Sequence, residues 1–360
     1  MKTRTGGSTL RATGLAVFAA LSLAGAAAAD PAGSAVYPTV DHHMHIFSPE
    51  AARVLKILCV RAGPAKCPPE ISTGASDGQD VVKSLDAAGI SKGVLLSTGY
   101  FFGSPDVTDL KLDVAKETRA ENAFVVGQAR AHCGRLLAFI SVNPLSPNAL
   151  GEIAYWGREG GATGLKLHLE NSGFDFRSPA QVKKLAAVFH AAAREHFPIV
   201  VHLETRNDDY GAKDVRIFLK DVAPFARGVP VQIAHAGAGG GDNEHTLSAL
   251  GAFADALARD PKDTANLFFD LAQVPDEVSN TAKNKATPEH VAALVALIRR
   301  IGLHRFVPGS DWTTGLNLKP YYDDERAALG LSDREWDALA ANEAPYVKSA
   351  SERQSCSAHL

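Results

Sequence analysis

The sequence predicts a single (β/α)8 barrel domain. Three observations carry this: eight short apolar runs, longer amphipathic stretches between most of them, and polar residues suited to metal binding at the ends of several runs. The runs are rich in Val, Ile, Leu and Phe without clean alternation, as parallel strands buried on both faces require. They fall at 35–42, 93–97, 136–142, 164–169, 198–203, 230–234, 267–271 and 305–309. Helical patterns occupy 79–88, 109–132, 178–196, 214–225, 245–259 and 287–301. Gly89 stops the first of these, and Ser178-Pro179 and Thr287-Pro288 are cap-like starts. A doubly wound sheet is the structural alternative, but eight evenly spaced units favour closure. Residues 50–78 read as a long irregular insertion after the first strand, at the mouth, where it would cover a site.

The chain has 360 residues, 46% hydrophobic and 21% charged, with a formal net charge of -3. That balance excludes a basic nucleic-acid binder and an acidic disordered chain. Residues 1–29 differ from the rest. Lys2, Arg4 and Arg11 precede a small and apolar run, which ends in Ala27-Ala28-Ala29. This is the pattern of a secretory signal peptide cleaved after Ala29, leaving 30–360 as the mature domain. The apolar run, about 15 residues, is short of the roughly 20 that span a bilayer. The expected location is secreted or periplasmic, with no membrane attachment after cleavage. Four cysteines are present, and a Cys59–Cys67 bridge would close a Pro/Gly-rich loop. No paired CxxC spacing supports a structural zinc site.

The chemistry-bearing residues cluster at strand ends. Asp41-His42-His43-Met44-His45 closes the first run. Residues two apart on a strand face one side, so His43 and His45 are expected to project together, with Asp41 on their side. The fifth run ends in His202, the sixth in His235-Ala236-Gly237, and the eighth is followed by Ser310-Asp311-Trp312. In a barrel these ends converge on the catalytic mouth. Imidazoles and a carboxylate gathered there suit a divalent metal; chance histidines are the alternative for the HxH pair taken alone. The glycine run 236–241 lacks the Lys-Ser/Thr pair of a phosphate loop and reads as a tight barrel turn.

Taken jointly, these motifs resemble the amidohydrolase superfamily. More narrowly, they resemble the amidohydrolase-related group that includes aminocarboxymuconate-semialdehyde decarboxylase. Gly164-Leu165-Lys166-Leu167-His168 and Asn342-Glu343-Ala344-Pro345-Tyr346-Val347 also look like that group's patterns, and the likeness spans about residues 38–350. The resemblance implies one divalent metal, Zn²⁺ foremost, held by His43, His45, His202 and Asp311. It implies His235 and Asp311 as the catalytic groups, His235 polarising substrate or shuttling a proton and Asp311 acting as general base. Some superfamily members carry a carbamylated strand-four lysine between two metals; here Lys166 reads instead as a pocket residue. Lys166, His168 and Glu204 are substrate-binding candidates, whereas Asp270 reads as structural.

The expected function is metal-dependent hydrolysis of a small ester, lactone or amide by a metal-activated water. The alternative is a nonoxidative decarboxylase or hydratase of an aromatic or enoic acid. A binding module with degenerate catalysis is disfavoured by the complete His/Asp set. Export favours hydrolysis, which needs no soluble organic cofactor. The expected partner is a small molecule, and a homodimer fits the family.

Overall fold

The computed structural model describes residues 36–63, 74–274, 287–313 and 315–353. Residues 1–29, expected to be a signal segment, and Cys67 and Cys356 lie outside them. Eight parallel strands pair in chain order: β1 (Val40–Met44), β2 (Lys92–Leu96), β3 (Leu136–Ser141), β4 (Gly164–His168), β5 (Ile199–His202), β6 (Val231–Ile233), β7 (Leu267–Asp270) and β8 (Phe306–Val307). The ring closes from β8 to β1 through His42 N to the Pro308 carbonyl at 3.1 Å and His45 N to the Trp312 carbonyl at 2.8 Å. A parallel bridge joins Met44 and Trp312. The strands are buried almost throughout, which is why their sequences read as unbroken apolar runs.

The helices are α1 (Pro49–Ala62), α2 (Gly78–Ala88), α3 (Val114–Ala131), α4 (Ala149–Glu159), α5 (Pro179–Arg194), α6 (Ala212–Asp221), α7 (Glu244–Arg259), α8 (Pro288–Ile301), α9 (Leu318–Leu329), α10 (Asp333–Ala340) and α11 (Pro345–Arg353). Helices α1, α4, α9 and α10 have no counterpart among the expected helical patterns, and α3 is shorter than its own. The insertion after β1 begins as the helix α1, started by Ser48 Oγ accepting from Ala51 N, with Pro49 in the first turn. The stretch at 109–132 divides into a 3₁₀ turn, Pro105–Leu110, and α3, capped by Asp113. The helix α4 carries Gly151 and Gly157, which weaken helix propensity, but it buries Ala149, Glu152, Ile153 and Trp156 on one stripe. Ser178 stands at the start of α5 without making a side-chain cap bond.

Three apolar clusters organise the described residues. One lies between strands and helices. A second fills the barrel interior, where Val40, Val94, Phe139, Val200 and Phe268 meet Tyr346 and Val347 of α11. Burying each such side chain contributes roughly 1.5–3 kcal/mol. The third, at the mouth, packs Ala51 and Val54 of α1 against Phe47, Tyr100, Phe101 and Val107. Cys59 and Cys133 are both disulfide-bonded.

The interior leaves no room at Gly164. A Cβ there would lie 2.4 Å from Phe139 Cε1 and 2.5 Å from the Pro198 carbonyl oxygen. Gly164→Ala is expected to destabilise the fold by about 1–3 kcal/mol, the usual cost of overpacking. Urea unfolding of the two proteins checks this; an unchanged midpoint would show that the barrel wall yields freely.

Candidate metal centre

The site begins with an extra residue in β1. Asp41 pairs with Gly93 and Met44 with Leu95, so His42 and His43 together oppose Val94 alone. Such a bulge breaks the two-residue alternation. Asp41 therefore does not share the side of His43, contrary to the sequence expectation. Its Oδ1 instead accepts from the backbone of His43 and of Ser310, both at 3.1 Å, stitching β1 to the end of β8. Burial pushes its carboxyl up to about 7, moderated by hydrogen bonds from Ser310 and His43. His42 turns to the barrel floor, where Nδ1–H donates to the Pro308 carbonyl and Nε2 accepts from Ala344 N.

His43 and His45 reach the mouth with their tautomers fixed. His43 Nδ1–H donates to Asp270 Oδ2 at 3.0 Å, and His45 Nδ1–H donates to the Leu96 carbonyl at 2.7 Å. Each Nε2 lone pair faces Asp311, whose Oδ1 is 3.3 Å from His43 and 3.1 Å from His45. His235 follows the same rule, its Nδ1–H donating to the Ala272 carbonyl at 2.7 Å. Its ring centre lies 4.7 Å from that of His43. Burial first, then the charge of Lys166, pushes His43 down to about 3, so it is neutral at physiological pH, as a ligand must be. Burial would raise Asp311, but the nearby His43 and His45 hold it well below the usual carboxylate range.

Two of these residues sit in left-handed backbone: His235 at φ 52° and Asp311 at φ 57°. For non-glycine residues this costs of order 1–3 kcal/mol and concentrates at functional sites. Residue spacing in the sequence carries no sign of it.

Among the described residues, His43, His45 and Asp311 form one group whose candidate ligand atoms all lie within 4.8 Å of one another; His43, His235 and Asp270 form a second. His202 belongs to neither. Its ring stacks 3.8 Å from His168 and lies 5.1 Å from His235. Its buried Nε2 has no hydrogen-bond partner, with Glu170 Oε2 3.9 Å away. Three lone pairs, an adjacent carboxylate and an orphaned buried imidazole nitrogen are a donor set that fits a divalent cation.

The surrounding cavity measures about 270 Å³ and is lined by these histidines, Lys166, His168, Tyr100, Phe101, Glu170 and Asn171. Lys166 Nζ lies 3.1 Å from His43 Nε2, on the lone pair a cation would use. Burial lowers its pKa to about 8, against the raising charges of Asp311 and Asp270. His168 has both ring nitrogens engaged by Asn171. Glu204, expected to bind substrate, does not line this cavity. Its Oε1 takes His245 Nδ1 at 2.5 Å. Asp270, read from sequence as structural, is instead the direct partner of His43. β1 and β7 are far apart in sequence, and only their meeting in the fold reveals it.

A family model described as "Amidohydrolase" matches residues 40–338. The chain belongs to the amidohydrolase family. No curated protein matches its sequence. Among solved structures, the amidohydrolase is similar to 5-carboxyvanillate decarboxylase from Novosphingobium aromaticivorans in complex with manganese (TM-score 0.57, 13% identity, 88% of this chain and 96% of that one). It is also similar to an amidohydrolase from Burkholderia multivorans with bound zinc (TM-score 0.52, 13% identity, 85% and 96%). A third is a protein from Pseudomonas putida provisionally named 2-pyrone-4,6-dicarboxylic acid hydrolase (TM-score 0.52, 18% identity, 88% and 98%). At these identities the likeness shows a shared fold.

The Glu204–His245 pair braces the loop after β6 of the amidohydrolase. His245 Nε2–H reaches the Asp208 carbonyl at 3.0 Å, so both ring nitrogens face acceptors and the imidazolium is favoured. The hydrogen bond to Glu204, then its charge, raises the His245 pKa above the ordinary 6.5. A raised pKa stabilises the fold fully below the unfolded value and loses that contribution as pH climbs through the folded one. Thermal melts of His245→Gln are therefore expected to fall furthest below wild type at pH values under the ordinary imidazole pKa of 6.5 and to draw closer to it as the pH climbs above that value. A gap independent of pH would sink this reading.

Proposed function

We propose that this amidohydrolase is a metal-dependent hydrolase that cleaves a small ester, lactone or amide. One observation carries the reading: Asp311, its side chain 31% exposed, points one oxygen between two imidazoles whose Nδ1 atoms are committed to other partners. His43, His45, His202 and Asp311 would hold one divalent cation, zinc or manganese, the ions bound in the similar structures. Such a cation polarises a carbonyl and lowers the pKa of a water from 15.7 toward about 7.

The chain's own groups supply the rest. Asp311 takes a proton from the attacking water and returns it to the leaving group. His235, with Nδ1–H committed to the Ala272 carbonyl, exchanges a proton at Nε2. The Lys166 ammonium orients an anionic group of the substrate, and Phe47, Tyr100 and Phe101 form the apolar wall. Two disulfide-bonded cysteines and the signal-like N-terminus favour an exported enzyme, for which water is a sufficient co-substrate.

The second reading, nonoxidative decarboxylation of an aromatic acid, is favoured by the buried Lys166 ammonium, a natural carboxylate partner, and by the likeness to a carboxyvanillate decarboxylase.

Chelation should abolish turnover of a lactone and ester panel, and zinc or manganese should restore it. Asp311→Asn should lower kcat/KM by roughly 10²–10⁴-fold. Hydrolysis that survives chelation would refute the proposal, and CO₂ release from an aromatic acid without hydrolysis would establish the second reading.

A further inference from the structure

We infer that Gln232 and Tyr346 are positioning residues for His43, joined to it through Asp270 by a hydrogen-bond line running from the barrel floor to the mouth. Tyr346 OH donates to Gln232 Oε1 at 2.6 Å. Gln232 Nε2 donates to Asp270 Oδ2 at 2.6 Å. His43 Nδ1–H donates to that same oxygen at 3.0 Å, leaving Nε2 toward Asp311.

The direction of this line is forced. The backbone N–H groups of His235 and Ala272 both point at Asp270 Oδ1, and His43 turns its Nδ1–H to Oδ2, so this carboxyl is ringed by donors and accepts. Gln232 must therefore turn its amide N–H₂ toward Asp270, which leaves its carbonyl for a donor. Tyr346 OH is that donor. All four residues are buried, at 0–1% exposure, so water does not substitute for a missing member.

Packing alone does not explain the line. The surrounding layer is Val94, Phe139, Val200 and Phe268, and an apolar residue at 232 would avoid the desolvation of an amide. Asp270 spends its other oxygen on the backbone N–H groups of His235, at 2.8 Å, and Ala272, at 3.3 Å. Gln232 is thus the group that fixes the oxygen His43 uses. Tyr346 belongs to α11, so docking of the C-terminal helix and the aim of a mouth imidazole are one structural event.

The inference rests on the proposed function only in taking His43 as a metal ligand. The test uses the full chain carrying Gln232→Leu, Tyr346→Phe and Asp270→Asn, singly and paired. Zinc affinity is measured by chelator competition, the His43 tautomer in metal-free protein by ¹⁵N NMR, and stability by thermal melting. Gln232→Leu should weaken zinc binding roughly 10-fold, and Tyr346→Phe, which keeps the ring, by less. Both should raise the fraction of His43 protonated at Nε2, and neither should add to Asp270→Asn. Zinc affinity within about twofold of wild type and an unchanged tautomer, with only the melting temperature lowered, would overturn the inference. Full additivity with Asp270→Asn would also overturn it. If the wild type binds no zinc, the metalloenzyme reading fails, and the His43 tautomer still decides this one.

Discussion

The site depends on one buried carboxylate. Asp270, at 0% exposure, sits where β1, β6 and β7 meet and accepts from His43 Nδ1, Gln232 Nε2 and the backbone of His235 and Ala272. An ion so placed is tolerable only because its lone pairs are met by donors. Those same bonds orient His43 and hold the left-handed turn that presents His235. Stability and site geometry are therefore one arrangement here.

Burial sets the protonation of the rest. His42 is pushed down to about 4 and His43 to about 3, while His168 and His202 lie well below the ordinary imidazole value. Neighbouring rings and Lys166 reinforce this, since each positive charge opposes the next. A close-packed set of neutral imidazoles beside two ionised carboxylates, Asp270 and Asp311, results. Such a cluster costs stability, and its strained backbone at His235 and Asp311 adds to that cost, as functional sites commonly do.

The barrel was legible because strands buried on both faces leave unbroken apolar runs. β3 and β7 begin where their runs do, and β4 ends one residue short of its run. The convergence of His43, His45 and Asp311 was legible because strand ends meet at a barrel mouth. The facing of Asp41 was not, since a bulge leaves no mark in residue type. The tie of Glu204 to His245 was not legible, since that partner stands in a helix 41 residues later. His202 stands outside the tight ligand group: its ring stacks on His168 at the neighbouring strand end, a contact that spacing cannot encode. Asp270 was undervalued for the same reason, as its contact with His43 spans 227 positions.

The place of α11 has a consequence for biogenesis. Ala344, Tyr346 and Val347 lie in the same apolar cluster as Val40, from the first strand. The inner core therefore unites the two extremes of the folded domain. A nascent chain that still lacks α11 cannot complete that core. The barrel interior therefore closes only after α11 has been made, although its first strand is synthesised about 300 residues earlier.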